Sequence, residues 1–260
     1  MSSRSLAHLS DLHLGVRGRE TQAQRACQRL LELDVERVVV TGDITQSGRS
    51  EEYDLFRRIF APLLKAGRLI AVPGNHDRMN DDIRRRLMPE GRVSAERHGE
   101  VHVVKVDSTS PANRSPLTSQ GALSERDLRA IEDALAAAPP DRLVVLALHH
   151  HLMPLPAGDF GEFFANWMGT RWAAEVEGGH GLLERLRGRI DLVLHGHRHI
   201  PSEQTPFEES ARPLRIHNAG ATPLQGRFRV FTHAAGRVLD SRWESLFPTP
   251  VETAVAVRAA

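Results

Sequence analysis

The side chains best suited to chemistry in this 260-residue chain are aspartates, histidines and one asparagine that come directly after short apolar runs. Five such runs end in this way, and the polar residues after them read Asp11-Leu12-His13, Gly42-Asp43, Gly74-Asn75-His76-Asp77, His149-His150-His151 and Gly196-His197-Arg198-His199. These types offer carboxylate and amide oxygens and imidazole nitrogens, without a thiolate. The mix suits Mn, Fe, Co, Ni or Zn, and it is too rich in nitrogen for a dedicated Mg or Ca site. About seven or eight candidate ligands are enough for two metal ions that share a bridging carboxylate.

The apolar runs before these residues are predicted to be β-strands, because they are short and rich in β-branched residues. Predicted strands cover residues 5–10, 35–41, 69–72, 101–106, 143–148 and 190–194, and predicted helices cover residues 20–33, 51–65, 81–87, 124–137 and 182–187. This alternation indicates an α/β fold, in which sites lie beyond the carboxyl ends of strands. If the five strands run parallel, all five polar clusters meet at one edge. The strands after Leu214 predict a second sheet packed on the first.

Composition narrows the possible classes of protein. The formal net charge is +1, so a nucleic-acid partner is not expected. No apolar stretch reaches the ~18–20 residues of a membrane span. Cys27 is the only cysteine, which suits a reducing compartment and predicts a cytoplasmic protein. We predict a single domain over residues 1–247 and a poorly ordered tail at residues 248–260.

Together, Asp11-x-His13, Gly42-Asp43, Gly74-Asn75-His76-Asp77, His149 and Gly196-His197-x-His199 resemble the signature of calcineurin-like metallophosphoesterases, with its elements complete and in the family's order. The resemblance implies a four-layer α/β/β/α sandwich of two mixed sheets. It implies that Asp11, His13 and His199 hold one metal ion. Asn75, His149 and His197 would hold a second ion, with Asp43 bridging the two. A hydroxide that bridges the metals would then attack the phosphorus of a phosphoester.

The same resemblance implies roles around the metals. His76 is the family's non-ligand histidine, which contacts phosphate oxygens and helps the leaving group depart. Asn75 is expected to contact the substrate as well as a metal. His217, in a turn similar to one that closes the family's site, is also expected to touch phosphate. Asp77 is expected to orient a neighbouring histidine.

The histidine run at residues 149–151 leaves two candidates for one ligand position. His149 directly follows the apolar run and is preferred, and His150 is the alternative. Residues 152–179 form an aromatic-rich connection that contains five large rings, Phe160, Phe163, Phe164, Trp167 and Trp172. This segment is interpreted as a lid near the site, as core, or as the surface of a homodimer.

The stretch from Gly121 through the predicted helix to residue 151 is similar to bacterial class III cyclic-nucleotide phosphodiesterases. We therefore expect a dinuclear phosphodiesterase that acts on cyclic nucleotides or other small phosphodiesters. Mn and Fe are the favoured metals, with Zn, Co and Ni as alternatives. The alternative functions are a nucleotide-sugar lipid pyrophosphatase and a broad phosphomonoesterase. A metal-free scaffold of the same fold would lack ligands, and none is missing here; a nuclease would call for a more basic surface.

Overall fold

A computed structural model of the chain describes residues 3–115, 118–154 and 175–247. The strands are β1 Arg4–Leu9, β2 Arg37–Thr41, β3 Leu69–Val72, β4 Val93–His98, β5 Val101–Val106, β6 Leu143–Ala147, β7 Leu192–His195, β8 Ser202–Gln204, β9 Arg215–Asn218, β10 Arg227–Ala234 and β11 Arg237–Ser245. The helices are α1 Arg19–Glu32, α2 Ser50–Ile59, α3 Ala61–Lys65, α4 Arg84–Leu87, α5 Glu125–Ala136, α6 Gly179–Leu186 and α7 Thr222–Gln225. Short 3-10 helices cover His76–Arg78 and Pro111–Arg114.

The described strands form two mixed sheets. The first has the order β11-β10-β1-β2-β3, and the second has the order β4-β5-β6-β7-β9-β8. Strands β1, β2 and β3 run parallel, and β10 pairs antiparallel with β1 on the side away from β2. Strands β5, β6, β7 and β9 also run parallel, with β4 and β8 added antiparallel at the two edges. In each sheet the central strands therefore run parallel, and their carboxyl ends lie at the same end of the sheet.

Alternating side chains of the central strands pack on opposite faces, as the two-residue period of a strand requires. In β2, Val39 packs between the two sheets, whereas Val38 and Val40 face α1, α2 and α3. In β6, Val145 packs between the sheets and Val144 faces the layer of α5 and α6. Both sheets are thus covered on both faces, which explains the continuous apolar runs in the sequence. The predicted four-layer α/β/β/α sandwich is confirmed.

The assignment of the late strands to one new sheet is wrong. Strand β9 joins the second sheet beside β7, whereas β10 and β11 extend the first sheet beside β1. The second sheet is built mainly from the middle of the chain. Strand β4, which the sequence analysis did not predict, forms one of its edges, and its mixed polar sequence fits a largely exposed edge position.

Two predicted helices differ from the structure. The helix expected over residues 51–65 is broken at Phe60, because Pro62 has no N–H to donate and instead begins a new helix. The helix expected over residues 81–87 covers only Arg84–Leu87. Asp82 has a φ of 51°, a left-handed conformation that cannot continue a right-handed helix.

Two predicted segments lie outside the described residues. They are positions 155–174 of the aromatic connection at 152–179 and the predicted tail at 248–260. Among the helices of the described ranges, none combines the length and the apolar character that crossing a bilayer requires.

Candidate metal centre

The five polar clusters meet where the carboxyl ends of both sheets lie side by side. Strands β1, β2 and β3 supply three of them from the first sheet, and β6 and β7 supply two from the second. The clusters were predicted to meet at one edge if the five strands run parallel, and they do meet, although the strands belong to two sheets. A hydrogen bond links the two sheets at this end, since the Thr41 carbonyl of β2 accepts from Nδ1 of His149, which follows β6.

Several of these residues have an unusual backbone conformation. The φ angles of Asp11, His13, Asp43, His197 and His199 are 54°, 46°, 46°, 75° and 53°. This left-handed region is uncommon for residues other than glycine and is found most often where function requires it. Here the left-handed conformation turns the chain sharply after each strand, so that the side chains point toward a common centre.

One group of four donors gathers Asp11, His13, Asp43 and His199, with one ligand atom of each within 4.8 Å of the others. His13 Nε2 and His199 Nε2 are 3.0 Å apart. His199 Nε2 lies 3.3 Å from Asp11 Oδ1, and His13 Nε2 lies 3.8 Å from Asp43 Oδ2. Two ring nitrogens and two carboxylates that converge on one point are the donor arrangement expected around a cation.

A second group lies on the other side of Asp43. Asn75 Oδ1 is 3.2 Å from His149 Nε2 and 3.1 Å from His197 Nδ1. Asp43 Oδ2 is 3.4 Å from His149 Nε2, so the same carboxylate borders both groups. Gly74 permits this approach, because a Cβ atom there would lie only 2.2 Å from Asp43 Oδ1. Two groups of possible metal ligands therefore lie side by side, and the Asp43 carboxylate borders both.

The charges of this cluster are set by burial and by its own members. Burial raises the pKa of Asp43, but the neighbouring imidazoles of His149, His76 and His13 outweigh it and hold that pKa well below its usual range. Burial lowers the pKa of His149, but the Asp43 carboxylate raises it to about 9. His197 is buried beside other histidines, which together keep its pKa well below normal. A neutral ring nitrogen of His197 is thus available as a ligand.

The hydrogen bonds of His149 and His150 bear on which of them could be a ligand. His149 Nδ1 donates to the Thr41 carbonyl at 2.7 Å, which leaves Nε2 facing Asp43 and Asn75. Both ring nitrogens of His150 are engaged, Nδ1 with Ser108 Oγ at 2.8 Å and Nε2 with the Ser119 carbonyl at 2.8 Å. The arrangement favours His149.

His76 stands at the edge of the first group. Its ring contacts that of His13 edge to face, with centroids 4.8 Å apart. His76 Nδ1 donates to the Gln46 carbonyl at 2.7 Å, and the backbone N–H of His76 donates to Asp43 Oδ1 at 2.9 Å. The first bond fixes the tautomer, so Nε2 is the nitrogen that a substrate would meet.

Asp77 is fully buried and holds two loops of the centre together. Its carboxylate accepts hydrogen bonds from Gly74 N, Ile44 N, Thr45 N and Thr45 Oγ1 at 2.7–3.2 Å. Burial and the nearby Asp43 charge raise the pKa of Asp77 to about 6, although these hydrogen bonds oppose the shift. Among the described residues its partners are backbone amides and a threonine, rather than the imidazole that the sequence analysis expected.

The structure does not bring His217 into either donor group. His217 is buried in β9, where its ring packs edge to face on Phe231 and its Nδ1 lies 3.7 Å from Glu203 Oε2. Three groups that contact the candidate site residues were not predicted from the sequence, namely the carbonyls of Thr41 and Gln46 and the hydroxyl of Ser108. Of these groups, only Ser108 could have been found from the sequence, because it follows the parallel strand β5 as the other polar clusters follow their strands.

Comparisons with known proteins agree with this geometry. The family model for calcineurin-like phosphoesterases matches residues 4–201. A probable cyclic nucleotide phosphodiesterase of Rhodopseudomonas palustris is 28% identical over 208 residues, which are 74% of this chain and 70% of the relative. The 3′,5′-cyclic adenosine monophosphate phosphodiesterase CpdA of Pseudomonas aeruginosa is 27% identical over 233 residues, which are 85% of this chain and 76% of the relative.

A solved structure shares the fold at low identity. The purple acid phosphatase PPD1 from yellow lupin (Lupinus luteus) seeds superimposes with a TM-score of 0.63 at 15% identity, over 94% of this chain. This chain spans about half of that protein, 54% of its length. The fold and the two donor groups define a metal-dependent phosphoester hydrolase. With the family model matching well over half of its length, the chain belongs to the calcineurin-like phosphoesterase family.

Proposed function

We propose that this protein hydrolyses phosphodiesters with two metal ions, one held by Asp11, His13 and His199, the other by Asn75, His149 and His197, and both by Asp43. The observation that carries the proposal is the position of Asp43, whose Oδ2 lies 3.8 Å from His13 Nε2 and 3.4 Å from His149 Nε2. One carboxylate between two sets of nitrogen and oxygen donors is the arrangement that a dinuclear centre needs. When bound, the metals would supply Lewis acidity and a hydroxide nucleophile near neutral pH.

The side chains themselves favour a phosphate anion. Asp11 and Asp43 are the carboxylates of the two donor groups, so two divalent ions would leave the centre positive. His76 Nε2 would then face the phosphoryl oxygens, with the ring held by its bond to the Gln46 carbonyl. When Nε2 carries a hydrogen as well as Nδ1, His76 can donate it to the leaving oxygen. Asn75 would contact the substrate from the second group.

Cyclic nucleotides are the proposed substrate class. The relatives from R. palustris and P. aeruginosa are named as cyclic nucleotide phosphodiesterases and align with most of this chain. A phosphodiester carries a single charge, which suits a centre of modest positive charge. Mn and Fe are the proposed metals, because the donors combine imidazole nitrogen with carboxylate and amide oxygen and include no thiolate.

A substrate panel tests the proposal. The full chain, loaded separately with Mn²⁺ and Fe²⁺, is assayed against 3′,5′- and 2′,3′-cyclic nucleotides, bis-p-nitrophenyl phosphate, p-nitrophenyl phosphate and a nucleotide-diphosphate lipid. We expect hydrolysis of the diesters to exceed that of the monoester and of the diphosphate. Metal content is measured on the same samples. A clear preference for the monoester or the lipid would overturn the substrate class, and a protein that binds no metal would overturn the mechanism.

A further inference from the structure

Ser108 is a buried serine that lies directly behind the two competing histidines. It follows strand β5, which runs parallel to β6, so its side chain reaches the start of the 149–151 run. Ser108 Oγ lies 3.3 Å from His149 N, 3.2 Å from His150 N and 2.8 Å from His150 Nδ1. The side chain is fully buried, so water cannot substitute for these contacts.

The direction of each of these bonds follows from the Ser119 carbonyl. A carbonyl oxygen only accepts, so His150 Nε2, 2.8 Å away, carries the ring hydrogen. His150 Nδ1 is then an acceptor and receives the Ser108 hydroxyl hydrogen. The hydroxyl oxygen in turn accepts from the backbone N–H groups of His149 and His150. One donor and two acceptor positions of the hydroxyl are thereby all used.

The opposite pattern holds at His149. Its Nδ1 donates to the Thr41 carbonyl at 2.7 Å, so Nε2 is the nitrogen that faces Asp43 and Asn75 and that a metal ion would take in place of a hydrogen. The two rings are otherwise alike, since both are fully buried and a ring nitrogen of each lies within 4.8 Å of a ligand atom of His197. Their hydrogen-bond partners are what separates them.

We propose that Ser108 is a positioning residue that gives the metal-ligand role to His149 and withholds it from His150. Its hydroxyl occupies the lone pair of His150 Nδ1, and the Ser119 carbonyl occupies the N–H of that ring. The same hydroxyl accepts from the backbone N–H of His149. This contact fixes the position of the His149 ring relative to Asp43 and Asn75. Gly121 completes the arrangement, because a Cβ atom there would lie 2.5 Å from Cγ of the His150 ring. This inference rests on the proposed dinuclear centre, in its second metal site.

Imidazole NMR of the metal-free wild-type protein tests the assignment without any change to Ser108. Long-range ¹H–¹⁵N correlation spectra distinguish the two neutral tautomers of a histidine, and the His150 signals are those that disappear in His150→Gln. We expect His150 with its hydrogen on Nε2 and an accepting Nδ1. A hydrogen on Nδ1 would overturn the proposal, because Ser108 could not then donate to the ring.

Metal titration of Ser108→Ala tests the consequence, with Ser110→Ala as the matched control. Ser110 lies two residues further along the same loop, and its hydroxyl caps the short 3-10 helix Pro111–Arg114, accepting from Ala112 N. Calorimetric titration with Mn²⁺ should show a second site weakened about 10–100-fold in Ser108→Ala, as is typical when a group that supports a metal ligand is removed. The first site should stay within about twofold, because Ser108 contacts none of Asp11, His13 and His199 in the described structure.

Each outcome of the titration has a distinct meaning. Two sites of wild-type affinity in Ser108→Ala, equal weakening of both sites, or the same loss in Ser110→Ala would each overturn the role of Ser108. Wild-type protein that fails to bind two ions would instead overturn the proposed function. If Ser108→Ala does not fold, Ser108→Cys keeps a weaker donor of similar size and should show a smaller loss at the second site.

Discussion

Gly196 separates strand β7 from His197, and its replacement by alanine tests how tightly the first donor group is built. A Cβ atom at Gly196 would lie 2.4 Å from Asp11 Oδ2 and 1.8 Å from Ser10 Oγ. Ordinary contact begins at about 3.4 Å, so the Asp11 oxygen would have to retreat by about 1 Å. That oxygen cannot move freely, because Asp11 accepts from the His197 backbone N–H at 3.2 Å.

A displacement of this size should affect the reaction more than the fold. Misplacing a reacting group by about 1 Å can lower a rate about 100-fold, and overpacking costs about 1–3 kcal/mol of stability. We therefore expect Gly196→Ala to lower kcat/KM on bis-p-nitrophenyl phosphate about 100-fold and to weaken the first metal site. The assays are steady-state hydrolysis, Mn²⁺ titration and thermal unfolding.

Gly181→Ala is the control for this experiment. A Cβ atom at Gly181, inside helix α6, meets nothing within 4 Å. Alanine forms helix better than glycine by about 1 kcal/mol, so this variant should unfold at a slightly higher temperature and keep wild-type activity. Wild-type turnover and wild-type first-site affinity in Gly196→Ala would refute the reasoning, since Asp11 would then tolerate the displacement.

Three further predictions concern single residues. Asn75→Ala should lower turnover at least about 100-fold and remove second-site binding, with little change in thermal unfolding; unchanged turnover would remove the second site from the account. Asp77→Ala should lower the free energy of unfolding by about 3 kcal/mol or more, because several buried donors lose their acceptor; chemical denaturation measures this, and a loss below about 1 kcal/mol would contradict it. Burial, with Arg229 and Arg215, lowers the pKa of His217 to about 3, against about 6.5 in the unfolded chain. Its stabilising contribution is therefore complete above about pH 6.5 and is lost as the pH falls toward about 3, by about 1 kcal/mol at about pH 5.5. His217→Gln should show a smaller loss of stability over this range, and an identical pH dependence would contradict the assignment.

The grouping of Asp11, Asp43 and His149 could be predicted because the information is local. Each residue follows an apolar run within one or two positions, and parallel strands bring their carboxyl ends to a shared edge. The α/β layers could be predicted for the same reason, since β6 is apolar at every position and β2 at its three central positions, Val38–Val40. A strand that is buried on both faces leaves this signature in any sequence.

Sheet membership could not be predicted, because strand pairing depends on contacts between distant parts of the chain. Strand β10 pairs with β1, more than 200 positions earlier, with Ala7 opposite Val230. The amino-acid sequence of β10 does not distinguish this partner from β9. The break at Phe60, in contrast, was readable from Pro62, which cannot be placed inside a helix without losing a hydrogen bond.

The groups that orient the site side chains could not be predicted from the sequence for a different reason. The acceptors for His149 and His76 are the backbone carbonyls of Thr41 and Gln46, and every residue has such a carbonyl. Which carbonyl meets a ring is decided by the turns after each strand. Asp77 illustrates the same limit. Its residue type predicted a histidine as partner, but its position in the fold places its carboxylate against backbone amides.

Two metal ions that share Asp43 are the central claim, and crystals grown with Mn²⁺ test it most directly. Anomalous difference maps at the manganese absorption edge should show two peaks about 3.5–4 Å apart, with Asp43 between them. One peak should lie among Asp11, His13 and His199, and the other among Asn75, His149 and His197. A single peak, or two peaks with Asp43 in contact with only one, would contradict the account.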